Sequence, residues 1–168
     1  MYFLILCAKA TSPNSTFTFS FDLSLNRLKP WLYLMSPKTA SGSTGLFRAQ
    51  GKKYTDRELL EIFSNPDTPV FVYEEQGEVL GYAFCALQHQ ESGSLMPIST
   101  LYIDDICVDE KARGRHIGSA LFEYVRHFAQ EKGCHNITLH VWECNPGAAA
   151  FYRSLGMTPQ YTSMEMLL

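Results

Sequence analysis

The sequence predicts a mixed α/β fold, and three observations carry this prediction. A capping-box pattern at residues 55–58 predicts a helix, and segments 70–73, 79–88 and 100–108 have the composition and alternation of strands. Two more helices are predicted at residues 117–132 and 146–155, with a strand at residues 136–142 between them. With a last strand at residues 161–167, the order from residue 70 onward is βββαβαβ, typical of a mixed sheet with helices.

Each predicted element has its own local signal. Thr55 and Glu58 form the capping box, and the first two strands join across the short turn Gln76-Gly77. The helix at 117–132 has apolar residues at helical spacing, and Gly133 is expected to end it. The last helix has Pro146 at its start and is expected to end before residue 156, which is glycine.

The first 44 residues differ in composition from the rest of the chain. They hold 12 Ser or Thr, four Lys or Arg and a single acidic residue, whereas the remainder holds ten basic and 16 acidic residues. Within them only residues 17–21 alternate like a strand, and the apolar start weakly resembles a signal-peptide core. We therefore predict an atypical segment at 1–44, which is a native extension, a targeting segment or a frame error, and one domain at 45–168.

Composition excludes several classes of protein. The chain is 46% hydrophobic and 13% aromatic, and no apolar run approaches the roughly 20 residues of a membrane helix. A net charge of −3 argues against a nucleic-acid partner. Five widely spaced cysteines match no metal-binding template and favour a reduced, cytoplasmic compartment. We expect no membrane, no nucleic acid and no metal.

The most informative stretch joins the strand ending at Val108 to the helix beginning at Ile117. It contains Gly114 and Gly118 together with Arg113 and Arg115. Glycines allow close approach of the backbone to an anion, and the first turn of a helix offers N–H groups that have no partner within the helix. The stretch matches neither the GxxxxGK[ST] loop nor the GxGxxG fingerprint. It predicts a phosphate-binding turn, the alternative being an ordinary tight turn with solvated arginines.

These residues resemble the acetyl-CoA motif [Q/R]-x-x-G-x-[G/A] of the GNAT superfamily of N-acetyltransferases. The motif here is Arg113-Gly-Arg-His-Ile-Gly118, with His116 in place of its first glycine. A second stretch, from Leu139 through Asn145 and Tyr152 to residue 156, is similar to the family's second CoA motif. The resemblance covers about residues 46–168 and implies a mostly antiparallel GNAT-like sheet with a V-shaped splay at the acetyl-CoA site.

The resemblance also implies which residues would hold acetyl-CoA as cosubstrate. Backbone N–H groups of the loop and first helical turn would bind the pyrophosphate, the preceding strand would pair with the pantetheine arm, and Val108 N–H would face the thioester oxygen. Asn145 would hydrogen-bond the pantetheine. The implied cofactor residues are Ile106, Val108, Arg113, Gly114, Arg115, His116, Ile117, Gly118, Ser119 and Asn145.

The implied reaction is direct acetyl transfer to a primary amine. Tyr152 lies where the family often places the acid that protonates the leaving thiolate. The acceptor must lose a proton before it attacks, since a lysine-like amine has a pKa near 10.4. Strand alternation predicts that Asp104 and Asp105 face opposite sides of the sheet. We expect Asp104 to be the base, on the face of Ile106 and Val108, with Glu143 in reserve.

The identity of the acceptor is not encoded in these motifs. The acidic pair favours a cationic amine on a small molecule or a peptide, and the resemblance leaves a homodimer open. Two alternatives to an enzyme remain: a CoA-binding module without turnover, suggested by His116, and an interaction protein on a degenerate GNAT scaffold whose sheet edge pairs with a partner.

Overall fold

The computed structural model describes residues 5–8, 54–90 and 97–166. These residues form two compact units, one extending through His140 and the other starting at Val141. The first unit contains strands β1 to β5 and helices α1 and α2, and the second contains helix α3. The bounds are β1 Ile5–Ala8, α1 Asp56–Ser64, β2 Val70–Glu75, β3 Glu78–Gln90, β4 Ile98–Val108, α2 Ile117–Glu131, β5 Asn136–Leu139 and α3 Pro146–Ser154.

The local signals in the sequence specify most of these elements. The Thr55 hydroxyl accepts from Glu58 N–H, and the Glu58 carboxylate accepts in return from Thr55 N–H, so the predicted capping box is confirmed. The β2–β3 turn has left-handed backbone at Gln76 and Gly77, with φ of 53° and 82°. Two consecutive left-handed residues match the right-handed twist of the strands they join.

The sheet has the order β1-β2-β3-β4-β5. The two long pairings, β2 with β3 and β3 with β4, are antiparallel, and the outer pairings of β1 with β2 and β4 with β5 are parallel. The predicted mixed α/β class with a mostly antiparallel sheet is therefore confirmed. The β4–β5 pairing stops at Ile103 and Leu139, while β4 continues to Val108. β4 therefore extends beyond its pairing with β5, at the place where the family resemblance implies the splay.

Helices α1 and α2 pack against the sheet through different sets of side chains. Leu59 and Phe63 of α1 form a buried cluster with alternate residues of β2 and β3, including Val72, Tyr82 and Phe84. Phe71 precedes Val72 in β2, and its side chain points to the other face of the sheet. Its ring contacts the rings of Tyr124 and Phe128 of α2 edge-on, with centroids 5.3 and 5.1 Å away. The period-two alternation of the strands thus gives each helix its own apolar face.

Some predicted elements are wrong in extent or absent. The strand predicted at 136–142 ends at Leu139, and residues 161–166 form no strand. Ile5–Ala8, within the apolar start of the chain, forms β1 beside β2, a strand that was not predicted. The alternating segment at 17–21 lies outside the described residues.

Candidate functional site

The connection between β4 and α2 is a compact turn with two left-handed residues. The Asp109 side chain accepts from Lys111 N–H at 2.8 Å and begins a short 3₁₀ turn at Glu110–Ala112. Gly114 then has φ of 78° and His116 has φ of 60°. Helix α2 starts directly after His116, at Ile117.

The first turn of α2 lies at this connection. The first helical backbone bond runs from Ala120 N–H to His116 C=O, at 3.0 Å, so the N–H groups of residues 117–119 precede any acceptor within the helix. A β-carbon added at Gly114 would meet nothing within 4 Å. This open backbone, at the positive end of the helix dipole, is suited to an oxyanion such as a phosphate.

The two arginines of the connection are each paired with a glutamate. Arg115 donates to Glu75 at the end of β2, at 2.6 Å, and both side chains are about half exposed. This ion pair raises the pKa of Arg115, chiefly through the hydrogen bond to Glu75. Arg113 contacts Glu110 at 3.5 Å on the surface. Arg115 therefore ties the connection to the β2–β3 hairpin, whereas Arg113 makes a weaker local contact.

The last residues of β4 direct alternate backbone groups toward the splay. Asp109 N–H donates to Leu80 C=O at 2.9 Å, which sets the phase of the antiparallel ladder with β3. In that phase the pairs Gly81–Val108 and Ala83–Ile106 are the non-hydrogen-bonded ones. The N–H and C=O of Ile106 and Val108 consequently point away from β3, toward the side on which β5 has ended.

The two aspartates of β4 lie at a β-bulge. In the register with β3, Phe84 pairs with Asp105 and Cys85 with Ile103, so Asp104 is an extra residue. A bulge interrupts strict alternation and re-aims the side chains beside it. The prediction that the two carboxylates face opposite sides is therefore wrong, as is the prediction that Asp104 shares the face of Ile106.

Both carboxylates contact tyrosines of one aromatic cluster. Tyr54 donates a hydrogen bond to Asp104 Oδ2, and Tyr82 donates to Asp105 Oδ2 at 3.1 Å. The rings of both tyrosines pack on Phe84, with centroids 5.5 and 5.3 Å away. Burial, followed by the neighbouring carboxylates, raises the pKa of both phenols well above the ordinary value. Each tyrosine therefore stays a neutral hydrogen-bond donor.

Sequence reasoning missed both tyrosines, although a signal for one existed. Tyr54 directly precedes the N-cap and packs against the cluster that contains Leu59, four residues into the cap motif. An apolar residue at that position commonly forms a hydrophobic staple. Tyr82 had no such signal, because its contact with Asp105 depends on the β3–β4 register.

Three further predicted residues belong to the second unit. Asn145 is the N-cap of α3, and its side-chain oxygen accepts from Ala148 N–H at 3.2 Å. Tyr152 lies in α3, half-buried, with its ring edge-on to Phe151 at 5.1 Å. Glu143 is exposed in the turn before α3 instead of at the end of a strand. Their roles in the reaction stay predictions from the sequence.

Across 5–8, 54–90 and 97–166, no group of three or more His, Cys, Asp or Glu side chains is arranged to hold a metal ion. No helix in those ranges has the length and apolar character to cross a membrane. Cys85, Cys107, Cys134 and Cys144 are free thiols, of which Cys85 is buried and Cys144 exposed.

Comparison with known sequences identifies acetyltransferases. The thialysine N-epsilon-acetyltransferase of Bos taurus is 34% identical over 99 residues, covering 58% of this chain and 52% of that protein. The mycothiol acetyltransferase of Thermobispora bispora is 31% identical over 88 residues, covering 52% of this chain and 29% of that protein. The matched region thus spans about half or less of these relatives.

Solved structures share the fold. A tetramutant of the BH1408 protein from Bacillus halodurans superimposes with a TM-score of 0.74 at 27% identity, covering 84% of this chain and 90% of that one. The aminoglycoside N-acetyltransferase AAC(6')-Iy, solved with CoA, has a TM-score of 0.59 at 17% identity, covering 67% of this chain and 74% of that one. This similarity concerns the fold alone. The model of the acetyltransferase (GNAT) family matches residues 37–157. The family model covers more than half of the chain, and the relatives and the fold agree with it. This chain therefore belongs to the acetyltransferase (GNAT) family.

Proposed function

We propose that this protein is an N-acetyltransferase that moves an acetyl group from acetyl-CoA to a primary amine of a small molecule or peptide by direct transfer. The observation that carries the proposal is the β4–α2 connection, where Gly114 and His116 are left-handed and the first turn of α2 begins at once. Family membership supports the same chemistry.

The residues present fit acetyl-CoA, which would supply an activated acetyl thioester. In this proposal the N–H groups from Gly114 to Ser119 hold the pyrophosphate. Arg113, whose own N–H donates to Glu110 C=O, adds positive charge together with Arg115. Backbone groups of Ile106 and Val108 pair with the pantetheine arm, and Val108 N–H stabilises the charge that develops on the thioester oxygen. For Asn145, which belongs to the second unit, a hydrogen bond to the pantetheine stays the role that the family resemblance implies. The open space at Gly114 and the direction of the β4 backbone support these assignments.

The acceptor side of the proposal centres on the bulged aspartates. Asp104 takes the proton that the amine must lose, because an amine with a pKa near 10.4 is almost fully protonated at pH 7. The amine nitrogen then bonds to the thioester carbonyl carbon, and the C–S bond breaks. Tyr152 donates its phenolic proton to the sulfur. Two carboxylates on one face support a cationic acceptor.

A CoA-binding module without turnover is the second candidate. It is favoured by His116, a non-glycine residue in left-handed backbone at the point where the family motif has glycine. The cytoplasmic location predicted from the cysteines suits either candidate.

Acetyl transfer itself tests the proposal. The protein is incubated with acetyl-CoA and either thialysine or a lysine-containing peptide, and acetylated product is measured by mass. We expect product from the wild type and at least about 100-fold less from Asp104→Asn at pH 7, with acetyl-CoA binding retained. Binding of acetyl-CoA with no product from a broad set of amines would select the non-catalytic module. Product formation unaffected by Asp104→Asn would remove Asp104 as the base.

A further inference from the structure

We propose that Tyr54 is a positioning residue for acetyl transfer, holding the Asp104 carboxylate in the orientation that receives the acceptor's proton. This inference rests on the proposed function, since it assigns Tyr54 a part in that reaction. Tyr54 lies outside both CoA motifs. It comes just before α1, a helix to which the sequence analysis assigned no role in the reaction.

The Tyr54 ring is held at several points. Its face stacks on Phe84 with 5.5 Å between centroids and 19° between planes. Phe84 is 2% exposed and is itself packed against Tyr82 and Phe63. The backbone of Tyr54 leads directly into the capped first turn of α1 at Thr55. The phenolic oxygen is therefore fixed relative to both the sheet and α1.

Asp104 needs such support because of where it lies in β4. As the extra residue of a bulge, it lies between two consecutive pairs of the β3–β4 register, so strand pairing alone does not set the direction of its side chain. The side chain is also exposed, where a carboxylate samples several rotamers. A hydrogen bond from an anchored phenol to Oδ2 favours one of them. Fixing a proton acceptor in this way lowers the cost of reaching the reactive geometry.

The surroundings favour Tyr54 as a donor over a wide pH range. The charged and titratable groups near the Tyr54–Asp104 contact are Asp105 and Tyr102 on β4 and Cys85 on β3. Burial and then Asp104 raise the pKa of Tyr54, and Asp105 and Tyr102 act in the same direction. Asp105 has its own donor in Tyr82. Each carboxylate of the bulge is thus served by a different tyrosine.

Tyr54→Phe keeps the stacked ring and removes only the donor. Tyr124→Phe is the matched control, because it makes the same chemical change at a residue of α2 whose ring packs on Phe71. Acetylation of thialysine is measured for both variants and the wild type at pH 7.0 and pH 9.5. We expect Tyr54→Phe to lower kcat about tenfold at pH 7.0, with the loss narrowing at pH 9.5, where more of the amine is already neutral. The Kd for acetyl-CoA and the unfolding midpoint stay at wild-type values.

A loss of equal size at both pH values, a parallel loss of acetyl-CoA affinity, or no loss at pH 7.0 would overturn the inference. A wild type that acetylates no amine would instead count against the proposed function, and a second measurement then decides on Tyr54. Tyrosine ionisation is followed by ultraviolet absorbance in the wild type, Asp104→Asn, and each of these combined with Tyr54→Phe. The variants with Tyr54→Phe identify which part of the titration belongs to Tyr54. We expect Asp104→Asn to lower the pKa of the Tyr54 phenol. Identical titrations with and without Asp104 would show that the two groups do not interact and would overturn the proposal.

Discussion

His116 adopts φ of 60° and ψ of 15° directly before α2, where the GNAT motif has its first glycine. A residue with a β-carbon pays roughly 1–2 kcal/mol for this left-handed conformation, and glycine does not. The structure therefore supplies a physical reason for glycine in the motif. It also shows that histidine adopts this left-handed conformation directly before α2.

The strain at His116 makes a prediction about stability. We expect His116→Gly to raise the free energy of unfolding by about 0.5–1 kcal/mol, because relief of the left-handed strain exceeds the entropy that glycine adds to the unfolded chain. Gly114→Ala, at φ of 78°, should lower it by about 1 kcal/mol for the converse reason, although its β-carbon would meet no neighbour. Chemical denaturation measures the free energy of unfolding of both variants. A lower value for His116→Gly than for the wild type would show that the imidazole stabilises the fold by more than the left-handed backbone destabilises it.

Tyr152 carries a prediction about turnover. Tyr152→Phe removes the phenolic proton while keeping the ring that packs edge-on against Phe151. We expect kcat to fall about 100-fold with the acetyl-CoA Kd nearly unchanged, since a general acid acts on the leaving sulfur and not on binding. Steady-state kinetics and calorimetric titration separate the two quantities. Unchanged kcat would assign the proton to another donor.

Among the elements, β4 shows where sequence reasoning reaches its limit. The alternating pattern correctly predicted a strand there, and the capping box and Gln76-Gly77 turn correctly predicted its neighbours. Alternation presumes an unbroken register, however, and the extra residue Asp104 changes the direction of one carboxylate. No local pattern marks that bulge, because it arises from the way β4 pairs with β3. Sequence periodicity alone therefore could not predict the direction of the Asp104 side chain.

The close packing of α2 on β3 depends on Gly81. A β-carbon there would lie 2.8 Å from Cys107 C=O and 3.1 Å from Leu121 Cδ1. We expect Gly81→Ala to lower the free energy of unfolding by about 1–3 kcal/mol, because α2 or β4 must move to admit the methyl group. Gly147→Ala is the control, since its nearest contact would be 3.8 Å away, and it should be neutral or slightly stabilising. Equal midpoints for Gly81→Ala and wild type would mean that the contact relaxes freely.

At the scale of the whole molecule, the order of elements from residue 55 to residue 155 could be predicted because each element has a strong local signal. The two ends could not. Ile5–Ala8 is a short apolar run whose strand character depends on pairing with β2. Residues 161–166 have strand-like composition but form no strand, and Met164 is 87% exposed. For Ile5–Ala8, pairing with β2 decides the outcome over local propensity.

Binding of acetyl-CoA at the β4–α2 connection, with histidine at the glycine position of the motif, is the central step of the proposed function. It is tested most directly by the unfolding midpoint of the full chain with and without acetyl-CoA, measured for the wild type and for Gly118→Asp. At about 100 times the Kd, a ligand adds roughly 2.7 kcal/mol, which corresponds to a rise of roughly 5–11 °C for a chain of this size. We expect that rise in the wild type and none in Gly118→Asp, where a carboxylate would face the pyrophosphate. A folded wild type whose midpoint does not move with acetyl-CoA would contradict the account.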